Sequence, residues 1–229
     1  MKIAVFGDSF ADKSHADSQD AIWYNFLQHE HGHEVTCWGE AGSSILFSAE
    51  LIQKHARDYD LAIWCLTTPG RFSLPHNFHD SDRHVHVTAA WSQCLIDNIE
   101  IRKKHAACID YLKYIFDWDT ENFVGRAVVS YVQQQNPNLM IIPCFPPPLD
   151  TKFNLYTLCE WEAGFYFPGK TIPDIYQRYH DLRPGHIGRQ NQRLLADLIS
   201  KELKPGVFQT SYENFQAPSQ PMEEVFARL

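Results

Sequence analysis

Hydrophobic residues in this chain come in short unbroken runs separated by stretches of helical spacing, and that alternation predicts its architecture. The run KIAVF at 2–6 stops at Gly7, as a strand feeding a turn does. From Asp20 to His31 the apolar positions Ile22, Trp23, Phe26 and Leu27 recur at helical spacing. A second strand is predicted from Glu34 to Trp38, then the small-residue turn GEAGSS and a helix over 45–56. The third strand, LAIWCL at 61–66, ends at TTPG, where proline and glycine prevent its continuation. The fourth, LMIIPC at 139–144, is expected to end early or bend at Pro143. Between these two strands, 90–116 and 122–135 carry long helical patterns, and a last helix is predicted from His186 to Leu203 with Leu194, Leu195, Leu198 and Ile199 as its buried stripe.

Strands alternating with helices imply a mostly parallel sheet covered on both faces. The pattern predicts one α/β domain over 1–204 with a helical and loop insertion at 70–138. Beyond Pro205 periodicity is lost, which predicts a C-terminal tail at 205–229. A length of 229 residues, 44% of them hydrophobic, suits a single full core.

Charge and cysteine usage narrow the partners. Acidic residues outnumber basic ones 28 to 20, for a formal charge of −8, which argues against nucleic acid. No apolar run approaches the roughly 18 residues of a membrane span, and the chain turns at Gly7 too soon for a signal peptide, so a cytoplasmic protein without a membrane partner is expected. The six cysteines, Cys37, Cys65, Cys94, Cys108, Cys144 and Cys159, are widely spaced without a CxxC pair. They read as free, mostly buried thiols in a reducing compartment.

Two segments carry candidate chemistry. Gly7-Asp8-Ser9 lies just past the first strand and before a helix, where parallel sheets place ligands and backbone N–H groups face a developing anion. An ordinary turn in which Asp8 or Ser9 caps a helix uses the same residues. Near the other end, HDLRPGHIGRQNQRLLADLI sets Asp181 and His186 before an amphipathic helix. A histidine that accepts a serine proton needs a carboxylate to fix its tautomer and stabilise the imidazolium.

KIAVFGDSF resembles the first signature block of the GDSL-type (SGNH) serine hydrolases, WGEAGSS their second, and DLRPGHIGRQNQRLLADLI their last. The resemblance implies a three-layer flavodoxin-like α/β fold, Ser9 as nucleophile and His186 as base. It also implies an oxyanion hole made by the backbone N–H groups of Ser9 and Gly42, glycine letting the backbone approach the reacting carbonyl. It implies no metal and no organic cofactor, and a small ester as substrate, such as an O-acetyl group on a sugar. Oligomeric state is not indicated.

Two departures from that family pattern stand out. Its Gly-x-Asn-Asp turn after the third strand is replaced by LTTPGRF, in which Thr67 or Thr68 can donate a hydrogen bond and Arg71 can bind an anionic substrate group or pair with a carboxylate. Its acid three residues before the histidine is replaced by Arg183, and Asp181 lies five before. The triad acid is therefore Asp181, or else a backbone carbonyl orients the imidazole of a dyad. A catalytically retired binding or structural module on the same fold is the alternative function.

Asp8, Arg71 and Trp161 are the candidate substrate contacts. Trp161 belongs to an aromatic segment from Phe153 to Tyr179, with Phe165, Tyr166 and Phe167, for which packing against the core is slightly favoured over a lid or a groove for sugar or acyl groups. His76, His79, Asp80, Asp82, His84 and His86 have the chemistry to bind a divalent metal, yet their spacing is unlike a closed zinc site and a solvated loop over the active site is preferred. HEHGHE at 29–34 is read as a helix end.

Overall fold

The computed structural model describes residues 1–12, 22–69, 71–75, 84–87, 103, 106–108, 110–111, 114–145, 149, 151–160 and 186–216. The elements are β1 (Lys2–Gly7), α1 (Trp23–His29), β2 (Glu34–Cys37), α2 (Ile45–His55), β3 (Leu61–Leu66), β4 (Phe72–Pro75), β5 (His84–Val87), α3 (Trp118–Gln135), β6 (Leu139–Pro143), β7 (Cys159–Glu160), β8 (His186–Ile187), α4 (Arg189–Lys201) and β9 (Gly206–Val207). Five strands form one sheet in the order β2-β1-β3-β6-β9, and every pairing within it is parallel.

Alternation along these strands builds two cores. Ile3, Val5, Leu61, Ile63, Cys65, Met140 and Ile142 face α1 and α4, while Ala4, Phe6, Ala62, Trp64, Leu66, Leu139 and Ile141 face α2 and α3. Buried on both sides, the strands read as continuous apolar runs. The result is a three-layer α/β fold. Counted within the main sheet alone, the strand order is 2-1-3-4-5, the flavodoxin-like arrangement whose topological switch lies between the first and third strands.

Local chemistry sets the ends of the elements. Ser44 caps α2 by accepting from the Phe47 N–H at 3.2 Å. Asp117 caps α3 by accepting from the Thr120 N–H at 2.8 Å, so this helix starts at Trp118 rather than at Asn122 as its apolar spacing predicts. β6 ends at Pro143, opposite Leu66, and the Cys144 N–H closes the ladder by donating to the Leu66 carbonyl at 3.1 Å. No helix among the described residues is long and apolar enough to cross a membrane.

Three expectations need correction. Residues 70–138 are not purely helix and loop, because β4 and β5 form an antiparallel hairpin pairing Ser73 with His86 and Pro75 with His84. The last helix begins at Arg189, and His186 instead lies in β8, paired with β7. The segment after Pro205 is no simple tail: β9 joins the main sheet, and Phe215 is buried with its ring stacked on Phe153, centroids 5.6 Å apart. Two-residue strands are too short to show a period. Of the predicted helix over 90–116, positions 103, 106–108, 110, 111 and 114 are helical and the rest of 90–113 lies outside the described residues.

HEHGHE does serve a helix end. His29 closes α1, and His31 hydrogen-bonds Asp197 at 2.9 Å and Ser200 at 3.1 Å, both on α4. Glu30 pairs with Arg193 at 2.9 Å. These contacts fix the far end of α1 against α4, and the near end leads to the candidate site.

Candidate active site

The site is built at the carboxyl ends of β1 and β3, in the switch-point crevice where open α/β sheets bind ligands. Directly after β1 the chain makes a tight turn in which the Ala11 N–H donates to the Asp8 carbonyl at 2.9 Å. The Asp8 carboxylate accepts from the Phe10 N–H at 3.1 Å, the Asx arrangement that braces a turn from inside. Ser9 sits at the corner of this turn, half-buried.

Asp8 is fully buried and organises its surroundings. Its second oxygen accepts from the Thr67 hydroxyl at 2.9 Å and from Arg71 Nη1 at 2.7 Å. The Arg71 guanidinium also lies 5.0 Å from the centroid of the Phe145 ring, and that ring meets Phe10 edge to face at 5.5 Å. Of the two roles open to Arg71, pairing with a carboxylate is the one the structure records. Asp8, expected at the substrate, has both oxygens engaged beneath the turn. Thr67 gives its one hydroxyl hydrogen to Asp8.

Gly42 lies in a second turn, closed by the Ser43 N–H donating to the Glu40 carbonyl at 3.1 Å. Its φ of +78° is in the left-handed region that favours glycine. This turn is tied to the Ser9 turn at three points. The Gly7 carbonyl accepts from the Glu40 N–H and from the Ser43 hydroxyl, each at 3.0 Å, and Asp12 accepts from the Ala41 N–H at 3.1 Å. Gly42 and Ser9 are thereby held on adjoining turns.

A second set of bonds runs from the Ser9 turn to the His186 strand. Trp23 Nε1 donates to the Phe10 carbonyl at 3.0 Å, and the Trp23 backbone N–H donates to Gln192 Oε1 at 3.0 Å. Gln192 Nε2 then donates to the Ile187 carbonyl at 3.3 Å. The residue after Ser9 is therefore linked, through two buried side chains, to the residue after His186. Asn191, also buried, anchors the following segment by accepting from the Gln216 N–H at 2.8 Å and donating to its carbonyl at 2.9 Å.

Sequence reasoning missed Trp23, Gln192, Asp12 and Ser43. A signal existed for Gln192: it lies three, four and seven positions before Leu195, Ala196 and Ile199, so it is a polar residue on the buried stripe of α4. Asp181 and Trp161 fall outside the described residues, as do His76, His79, Asp80, Asp82 and residues 161–179 of the aromatic segment that begins at Phe153; Phe153 itself is buried in the core. No cluster of three or more metal-ligating side chains occurs among the described residues.

Cys37, beside the site, is no rival nucleophile. Its thiol donates to the Ala11 carbonyl, and burial is the main cause that pushes its pKa up from 9.0 to about 11. Iodoacetamide at pH 8 is expected to leave Cys37 unmodified in the folded protein and to alkylate it in urea, as peptide mapping reports, because the thiolate is the reactive form. The unfolded thiol ionises first, so the stability this burial favours is fully present below about pH 9 and is lost as pH rises through about 11.

No family model matches the chain, and no curated protein matches it. Among solved structures, it is similar to a GDSL-like lipase from Parabacteroides merdae ATCC 43184, with 12% identity and a TM-score of 0.40 over 89% of this chain and 96% of that one. It is also similar to a catalytic mutant of Axe2, an acetylxylan esterase from Geobacillus stearothermophilus, with 12% identity and a TM-score of 0.37 over 100% of this chain and 80% of that one. Likeness this distant carries no functional weight. The functional reading rests on the site.

Proposed function

We propose that this chain is a serine hydrolase that cleaves a small ester, such as an acetyl group on a glycan, with Ser9 as nucleophile and His186 as base. The hydrogen-bonded path Phe10–Trp23–Gln192–Ile187 carries this reading, because it couples the backbones next to the two residues from opposite ends of the sequence. That link between the two flanking backbones supports a shared site.

In this mechanism His186 takes the proton of the Ser9 hydroxyl as Oγ attacks the ester carbonyl. The N–H groups of Ser9 and Gly42 hold the oxyanion, with Thr68 as a further donor. His186 returns the proton to the leaving alcohol, and water activated by the same histidine releases the acid. Turnover of p-nitrophenyl acetate tests the reading: Ser9→Ala and His186→Asn are each expected to lower kcat/KM by about 10³-fold or more, and unchanged turnover in Ser9→Ala contradicts it. The rival of a retired module draws on one observation, that Thr67 spends its hydroxyl hydrogen on Asp8. It predicts no turnover above the Ser9→Ala control.

Gln192→Leu tests the coupling itself. Removing both polar atoms leaves the Trp23 N–H and the Ile187 carbonyl without these partners, costing roughly 1–3 kcal/mol. Loss of alignment should lower kcat by about 10-fold to 10²-fold with KM little changed. A kcat equal to wild type in a variant of lowered melting temperature contradicts a positioning role.

A further inference from the structure

We propose that the Phe145 ring is the wall that limits the acyl group to acetyl size, an assignment that rests on the hydrolase reading above. Phe145 lies just past the end of β6 at Pro143. The Cys144 N–H still donates to the Leu66 carbonyl at 3.1 Å, so Cys144 stays in line with the end of β3. At Phe145 the chain leaves the sheet, on the side where open α/β sheets bind ligands. β3 lies between β1 and β6 in the sheet, which sets those two strands about 10 Å apart. Yet the Phe145 ring meets Phe10, the residue after Ser9, edge to face with centroids 5.5 Å apart. Between them the two rings span the end of β3, beside the Ser9 turn.

Phe10 is buried, whereas Phe145 is half-buried and packs against the same core from its rim. Arg71 lies over the Phe145 ring, 5.0 Å from its centroid, and donates to Asp8 at 2.7 Å. The two neighbours of Ser9 in the chain thus both hold this ring, Phe10 by direct contact and Asp8 through Arg71. A ring fixed by an aromatic edge contact and by a cation over its face resists swinging aside for a larger group.

The sheet order gives the direction. Gly42 follows β2 and Phe145 follows β6, and these strands lie on opposite sides of β1. An ester whose carbonyl oxygen turns toward the Gly42 N–H points its other substituents toward the β3 and β6 side. The alcohol oxygen faces His186, which protonates it as it leaves, and the His186 strand is tied to the Ser9 turn by way of Trp23 on α1 and Gln192 on α4. The acyl chain is the substituent that meets Phe145.

The test compares p-nitrophenyl acetate with p-nitrophenyl butyrate on one preparation of the full chain, so that the folded fraction cancels from the ratio of their kcat/KM values. The wild type is expected to favour acetate by about 10-fold or more. Phe145→Ala should raise the butyrate-to-acetate ratio by about 10-fold to 10²-fold, the scale on which methylenes are discriminated in an apolar pocket. Phe145→Leu, which keeps more of the volume, should give an intermediate ratio and carries the test if the alanine variant does not fold. A ratio unchanged in the variants overturns the proposal, as does a wild type indifferent to acyl length. So does a change confined to the alcohol, read as the ratio of 1-naphthyl acetate to p-nitrophenyl acetate. Absence of both ester turnover and fluorophosphonate labelling at Ser9 sinks the hydrolase reading, whereas labelling and turnover with an acyl preference indifferent to Phe145 sink this assignment alone.

Discussion

Gly7→Ala is expected to destabilise the fold by about 2–6 kcal/mol, measured as the loss of unfolding free energy in urea. A Cβ at Gly7 would lie 2.5 Å from the Cys65 carbonyl oxygen and 2.7 Å from the Cys65 Cβ. Gly7 and Cys65 are register partners in β1 and β3, the two strands at the centre of the switch point, so neither backbone can yield without disturbing the sheet. The φ of +139° adds strain of its own. The figure combines about 1–3 kcal/mol for overpacking with about 1–3 kcal/mol for holding a side-chain-bearing residue in such a conformation. The Gly7 carbonyl also joins the Ser9 and Gly42 turns, so surviving folded protein should lose activity beyond its loss of stability. A destabilisation under about 1 kcal/mol would show that the close approach at β1 and β3 is not rigid.

The second large effect is expected at Arg71. Arg71→Met removes the cation from a fully buried carboxylate, leaving Asp8 with the Thr67 hydroxyl and the Phe10 N–H as its remaining recorded donors. Breaking a buried pair in this one-sided way costs about 3–5 kcal/mol, mostly as an uncompensated charge. Asp8→Asn combined with Arg71→Met removes both charges and should recover much of that loss. A double-mutant cycle measures the outcome, with a coupling of about 2 kcal/mol or more expected between these contacting groups. Coupling near zero would mean that Arg71 is held by its stacking on Phe145 and that Asp8 is balanced without it.

Much of the sheet is legible in the sequence because its strands are buried on both faces. LAIWCL occupies β3 as its pattern predicts, and Pro143 marks the end of β6. The elements that escape are those whose pairing comes from tertiary context. β8 and β9 are two residues each, and the β4–β5 hairpin lies in a segment whose neighbours read as helical. The site divides similarly. The glycine turns at Gly7 and Gly42 are legible from residue type and position, since a parallel strand ending in glycine before a small-residue turn has few other uses. What fixes those turns, through Asp12, Ser43, Trp23 and Gln192, depends on contacts between segments far apart in the chain, which no local spacing encodes.

Arg71 illustrates the difference further. Its chemistry permits an anionic ligand or an ion pair, and only the position of Asp8 at the end of the neighbouring strand decides between them.

The central claim is that Ser9 is an activated nucleophile, and covalent labelling of the folded chain with a fluorophosphonate probes it most directly. Intact-mass analysis with peptide mapping should find one adduct, located on Ser9, absent in Ser9→Ala and much slower to form in His186→Asn. No adduct on the folded wild-type chain, or an adduct that persists in Ser9→Ala, would contradict the assignment.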